Sequence, residues 1–250
     1  MRPIDQIDLL AVDSSHIYNI LENAIEEGWC SRLKIIDLTI PITHGMPRFP
    51  RYYIPSVELQ PTATHEKERR SIHRLIMGTH NGTHMDAPFH MVPDGARIDE
   101  VPLDSLIGRA VVINLSKKEP KTGISSKDLM RASATVRSHD AVLIRTDWDQ
   151  AWGKPEYFTD QPYLTIECAE WLVARKIRAL GVDFSSVDDP SQVKAGEVPP
   201  VHRKLLENSV LIMECLTNLR SITKSTVQLI SLPLKITGSD GAPARIVAIE

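Results

Sequence analysis

The chain has 250 residues, 42% of them hydrophobic and 24% charged, which is ordinary globular composition with enough length for one substantial core. A net charge of -3 lacks the basic surplus of a nucleic-acid binder. The longest apolar runs, such as 110–115 and 210–213, are far too short to span a bilayer, so no membrane partner is expected.

The N-terminal residues show no apolar core followed by a small-residue cleavage site, and no signal peptide is expected. Residues 15–28 read as a helix: Ile17, Ile20, Leu21, Ala24 and Ile25 recur on one face, Ser14 or Ser15 can cap it, and Gly28 can end it. Residues 33–42 are rich in branched apolar side chains and stop near Pro41, as a strand would. Further strands are expected at 56–60 and 71–77, with the charged stretch 65–70 between them as an exposed loop. Near-continuous apolar runs at 109–115 and 141–146 predict buried strands.

Helices are expected at 125–136 and 165–177, the second with Thr165 as cap and Glu167 in its first turn. Then follow a strand at 179–184, a helix at 201–207 and a strand at 210–216. The last strands, 228–236 and 245–249, flank a turn at Gly238-Ser239-Asp240-Gly241. Strands outnumber helices and alternate with them only partly. The fold class expected is α/β, a mixed sheet or barrel-like core flanked by helices, not a doubly wound parallel sheet. One domain over 31–250 carries a helical arm at 1–30. The cysteines, Cys30, Cys168 and Cys215, are odd in number, far apart and in no metal-ligand spacing, so they read as inert thiols of a cytoplasmic protein.

The chemistry concentrates between His80 and His90. Three of the nine histidines fall within these eleven positions, with Asp86 among them. Neutral imidazole nitrogens and a carboxylate are the donors that a borderline divalent cation prefers. Gly82 and Pro88 argue against a helix, so His80 and His84 are not a helical zinc motif. A straight strand would hold them about 13 Å apart at roughly 3.3 Å per residue. Ligand atoms about 2.1 Å from one metal lie within roughly 4 Å of each other. The chain must therefore bend, and Asn81-Gly82 is the dipeptide suited to a tight turn. Ligands would then converge from a loop between strands.

The pattern H-x-G-T-H-x-D-x-P-x-H at 80–90 resembles the signature of the metal-dependent cyclase/kynurenine formamidase family, which also contains isatin hydrolase. The resemblance extends over about 36–248 through Asp37-Leu38-Thr39, Gly45-Met46-Pro47, Arg145-Thr146-Asp147-Trp148, Leu180-Gly181-Val182-Asp183, Ser186-Val187-Asp188 and the C-terminal 240–245. It implies a β-barrel-like core flanked by helices and a homodimer or homotetramer. It implies His80, His84 and Asp86 as primary metal ligands, with Asp86 bridging to a second metal whose other ligands are His90, His202 and Glu214. Zinc, one ion or two, is the expected metal, and manganese the alternative. Asp147 departs from the family's glycine, and the arm and the 65–70 stretch exceed the compact formamidase pattern.

Glu214 also stands out physically, as a charge inside an apolar strand run that must be exposed, paired or bound to a cation. The expected reaction is metal-assisted hydrolysis of a C–N bond in a small aromatic amide or lactam, such as N-formylkynurenine or isatin. His90 would be the base if one metal binds and a ligand if two do, and His202 or Glu214 could pass a proton to the leaving group. Phe49 and Trp148 could line the pocket or simply fill core. Arg145 could hold a substrate carboxylate or form a structural ion pair. The alternatives are cyclase or lactone chemistry on a polyketide-like or dienelactone-like substrate, and a metal-binding scaffold without turnover.

Overall fold

The computed structural model describes residues 33–132, 135–192 and 197–250. The helix expected at 15–28, the arm at 1–30 and Cys30 lie outside the described residues. The strands are β1 (Ile35–Asp37), β2 (Glu58–Ala63), β3 (Ile72–Ile76), β4 (His84–Asp86), β5 (Ile107–Asn114) and β6 (Gly123–Ile124). They continue with β7 (Ala141–Arg145), β8 (Tyr163–Leu164), β9 (Ala179–Val182), β10 (Leu211–Glu214), β11 (Thr226–Pro233) and β12 (Gly241–Ile249). The α-helices are α1 (His65–Glu68), α2 (Ser126–Ala132), α3 (Ile166–Ala174) and α4 (Pro200–Leu206). Among the described residues no helix is long and apolar enough to cross a membrane.

The main sheet runs β1-β12-β11-β5-β7-β9-β10-β4, and β4 pairs again with β12. Seven strands therefore close into a barrel, with β1 attached outside it. The length of β12 makes this possible. One edge pairs with β11, while the other takes β4 at residues 241–243 and β1 at 247–249. Strands β5, β7, β9 and β10 run parallel, joined through crossovers that carry α2, α3 and α4 in turn.

Side chains alternate across the wall. Leu143, Met85, Met213 and Ile246 belong to one buried cluster, which fills the barrel. Val142, Ile144 and Ile212 belong to a second, where the sheet meets Leu129, Leu172 and Leu205 of the helices. The runs in β7 and β9 are apolar throughout because both faces are covered. Thr165 caps α3 by accepting from the Cys168 N–H at 3.2 Å, as its sequence suggests.

Three local expectations change. The stretch expected to be a loop carrying ligands contains β4, three buried residues paired on both edges. The 65–70 stretch holds the one-turn helix α1, exposed throughout and closed by Arg69 at φ +57°. The final strand begins at Gly241 instead of 245.

Asp147, just beyond β7, has φ +61°, a left-handed conformation that suits glycine and that Asp tolerates better than most residues. Its carboxylate receives the Arg145 guanidinium at 2.7 and 3.0 Å, and its N–H donates to Asp183 at 2.7 Å. Arg145 is thus engaged in a structural ion pair. Asp147→Ala should lower unfolding stability by ~1–2 kcal/mol in urea titrations. Asp147→Gly should stay within ~1 kcal/mol of wild type, because backbone relief offsets the lost ion pair.

Candidate metal centre

The bend required between His80 and His84 is present. Gly82 has φ +65°, and a Cβ there would meet the Met46 Cε at 2.9 Å. The Gly78 N–H donates to Asn81 Oδ1 at 2.6 Å, closing the turn before it. The Thr83 hydroxyl donates to the Cys215 carbonyl at 2.6 Å and accepts from the Ile40 N–H at 2.9 Å, which fastens the bend to two neighbouring segments.

From there the sheet does the positioning. In the antiparallel register of β4 with β10, His84 stands opposite Glu214 and Asp86 opposite Ile212. Met85 and Met213 turn into the barrel, so His84, Asp86 and Glu214 share the other face. The first turn of α4 brings His202 over that face. Asp188 holds the start of α4 by accepting from the Val201 N–H at 2.8 Å, the His202 N–H at 2.9 Å and His202 Nδ1 at 2.6 Å.

The rings point inward. His84 Nδ1 donates to the Gly82 carbonyl at 2.8 Å, which leaves Nε2 at 3.3 Å from Asp86 Oδ1 and 3.6 Å from Glu214 Oε2. His202 Nε2 lies 3.1 Å from Glu214 Oε1 and 3.6 Å from Asp86 Oδ2. His80 spans two carboxylates, with Nδ1 at 2.8 Å from Asp86 Oδ1 and Nε2 at 2.7 Å from Asp240 Oδ2. His90 Nδ1 reaches the same Asp240 oxygen at 2.9 Å. All six residues expected from the sequence line one cavity of about 360 Å³, together with Phe49, which is an alternative resolved toward the pocket. Trp148 instead joins the core, its Nε1–H donating to the Tyr157 carbonyl at 3.0 Å.

The electrostatics follow from the crowding of carboxylates. Burial opposes charge on His80, but Asp86 and Asp240 override it and raise its pKa to about 10. Burial likewise opposes a cationic His202, and Glu214 with Asp188 pushes it well above the ordinary range. Asp86 stays well below the usual carboxylate range despite complete burial, chiefly through His80. Surroundings that hold protons this firmly also favour a metal cation, and the two compete for the same nitrogens.

Two groups of donors have ligand atoms within 4.8 Å of one another and share Asp86: His80, His84 and Asp86, and Asp86, His202 and Glu214. Asp86 Oδ2 is buried with no hydrogen-bond partner, an arrangement that costs free energy for a carboxylate oxygen. An orphaned oxygen on a carboxylate that the His80, His84 and His202 nitrogens approach, with Glu214 in the same cluster, fits a divalent cation. Sequence reasoning gave no role to Asp188 or Asp240. Both sit among Ser, Pro and Gly, where aspartate is an ordinary turn residue, and their only signal was membership of the longer motifs.

A model of the Cyclase family matches residues 36–189. A kynurenine formamidase of Bacillus cereus is 31% identical over 215 residues, covering 85% of this chain and 95% of that protein. The kynurenine formamidase of Erythrobacter litoralis is 29% identical over 226 residues, 89% of this chain and 97% of its own. Among solved structures, isatin hydrolase A from Labrenzia aggregata, bound to benzyl benzoate, matches with a TM-score of 0.80 at 25% identity, covering 92% of this chain and 98% of that one.

Replacing His84 and Asp86 together by alanine should abolish uptake of a divalent ion, measured by elemental analysis after dialysis. Thr83→Val, which removes both hydroxyl contacts of the bend, should weaken ion affinity by about 10-fold while leaving the number of bound ions unchanged.

Proposed function

The chain belongs to the Cyclase family and is a metal-dependent hydrolase, and from that premise we propose that it opens the C–N bond of a small aromatic amide or lactam, of the kind represented by N-formylkynurenine and isatin. The observation that carries this reading is the buried Oδ2 of Asp86, without a hydrogen bond, on a residue that lines a cavity with an aromatic rim. His80, His84 and Asp86 would hold one divalent ion, and Asp86, His202 and Glu214 a second. Zinc suits both donor sets, and manganese is the alternative for a single site. When bound, such an ion lowers the pKa of water toward neutrality and polarises a carbonyl.

The remaining steps fall to the protein. His90 stands outside both donor groups and is tethered through Nδ1 to Asp240, which supports the role of base over that of ligand. Its Nε2 would take a proton from the attacking water and return it to the leaving nitrogen, so that C–O forms, C–N breaks and no net proton is consumed. With one ion bound, His202 or Glu214 would protonate the leaving nitrogen instead, and His90 would pass the proton taken from water to solvent. Phe49, braced edge-on by Phe158 at 6.0 Å, and Tyr53 offer an aromatic ring a wall at the rim. Free, buried Cys168 and Cys215 suit a reducing interior, and we place the enzyme in the cytoplasm on that basis. Exposed Ile72, Leu75 and Ile76 of β3 support assembly as a homodimer or homotetramer.

The test is turnover on a panel of aryl formamides, lactams and esters, with and without chelator, beside elemental analysis. Amide or lactam hydrolysis that chelator abolishes and zinc or manganese restores is expected. Turnover of esters or lactones alone would favour the cyclase or lactone reading, and bound metal with no turnover would favour a scaffold. Phe49→Ala should raise KM for aryl formamides by roughly 10-fold with kcat little changed, as expected for a group that contributes uniform binding.

A further inference from the structure

The third group of clustered donors, His80, His90 and Asp240, contains one residue that neither holds an ion nor moves a proton in the chemistry above. Asp240 lies in the turn between β11 and β12. We propose that Asp240 is a positioning residue that aims two histidines at once, turning His80 Nδ1 to the cation site and His90 Nε2 to the substrate.

Three contacts occupy its carboxylate. Oδ2 faces His80 Nε2 at 2.7 Å and His90 Nδ1 at 2.9 Å, while Oδ1 accepts from the Thr79 hydroxyl at 3.1 Å; the Ser239 hydroxyl donates to the Gly241 carbonyl at 2.8 Å. A carboxylate oxygen only accepts, so both nitrogens facing it carry hydrogen. Nδ1 of His80 faces a second carboxylate, Asp86, so both nitrogens of that ring carry hydrogen here. A cation would displace the Nδ1 hydrogen alone, because Asp240 keeps the one on Nε2. In neutral His90 the lone pair already falls on Nε2 of a ring that lines the cavity. To serve as a metal ligand itself, Asp240 would have to give up these contacts.

The backbone is built to keep it there. The Ala87 N–H donates to the Asp240 carbonyl at 2.9 Å, and the next residue, Gly241, pairs with Asp86 across β4 and β12. A Cβ on Gly241 would meet the Met85 carbonyl at 2.7 Å and His80 Cε1 at 3.0 Å, so the ring of His80 lies against bare backbone at that point. The His80 and His90 ring centroids are 4.1 Å apart at 36°, so the two rings lie against each other above the shared carboxylate. One carboxylate thus ties a cation-facing ring to a substrate-facing one.

This inference rests on the proposed metal-dependent hydrolysis, and the experiment separates the two. Co2+ affinity by competition with a chelator, Co2+ stoichiometry, and kcat and KM at saturating Co2+ are measured for the full chain and for Asp240→Asn, His90→Gln and the double variant. Asp240→Asn should lose ~10–100-fold in Co2+ affinity at unchanged stoichiometry, the usual effect of removing a carboxylate behind a metal-binding imidazole. Its kcat should fall by a similar factor with KM within about 2-fold. In the His90→Gln background the affinity loss should persist through His80, while kcat should fall no further, because the turnover effect runs through His90.

A kcat loss that multiplies in the double variant, an unchanged Co2+ affinity, or a drop in stoichiometry would overturn the proposal. If Asp240→Asn fails to fold, Thr79→Val loosens Oδ1 without touching either histidine and should show the same pattern at smaller size. A wild type that binds Co2+ but turns over none of the panel removes the hydrolase reading and leaves the affinity arm to decide on His80. A wild type that binds no Co2+ overturns both.

Discussion

Asp86 has no surface in contact with water, and an ionised carboxylate in that position needs opposite charge or donors around it. On a loop it could relax toward solvent. On β4 it cannot, because both edges of the strand are paired, and moving Asp86 would break its register with Ile212 and with Gly241 together. The demand for positive charge is therefore fixed in place by backbone hydrogen bonds, and His80, His84 and His202 are gathered around it from three different segments. Closure of the barrel makes the site possible, since β4 has two partners only because β12 reaches past β11 to it.

Such an arrangement works against the stability of the protein alone. The cavity wall carries Asp86, Asp188, Asp189, Glu197, Glu214 and Asp240 against Arg51 and four imidazoles. Protonated histidines balance part of this charge, at the cost of burying cations as well. A divalent ion that binds only the folded chain stabilises it by mass action, so metal uptake and folding draw on the same electrostatic imbalance. Local rules tend to be broken at functional sites, and the broken rule here is the absence of a hydrogen bond to Asp86 Oδ2.

How far the sequence revealed this depended on distance along the chain. His80, His84 and Asp86 were legible because scarce residue types fell close together, and a distance argument then demanded the bend that Gly82 makes. The mixed α/β core was legible from near-continuous apolar runs such as 141–146 and from the partial alternation of strands with helices. β4 itself was hidden, since three residues between a glycine turn and a proline are too short to show a period. His202 and Glu214 meet Asp86 through sheet register and the docking of α4, which no local pattern encodes; the family motifs supplied them. Helix ends were overrun for a simpler reason. Side chains of 175–177 continue the amphipathic pattern of α3, yet Lys176 adopts φ +53° and the helix has already stopped at Ala174.

In each of the four rings lining the cavity, one nitrogen is tied down, but by different acceptors. His84 is held by a backbone carbonyl, and His202, His80 and His90 by carboxylates. A carbonyl fixes a ring while leaving its basicity nearly alone, whereas a carboxylate also makes the far nitrogen more electron-rich. The anchors belong to three connections, the 80–84 bend, the segment ending at Asp188 and the 238–241 turn, and each abuts a strand or helix end. Ring orientation is therefore set by short side chains on constrained backbone, with little rotamer freedom left to lose when a cation or substrate arrives. A barrel whose wall supplies three residues of the site from its outer face, His84, Asp86 and Glu214, reaches its precision by shaping the turns around them.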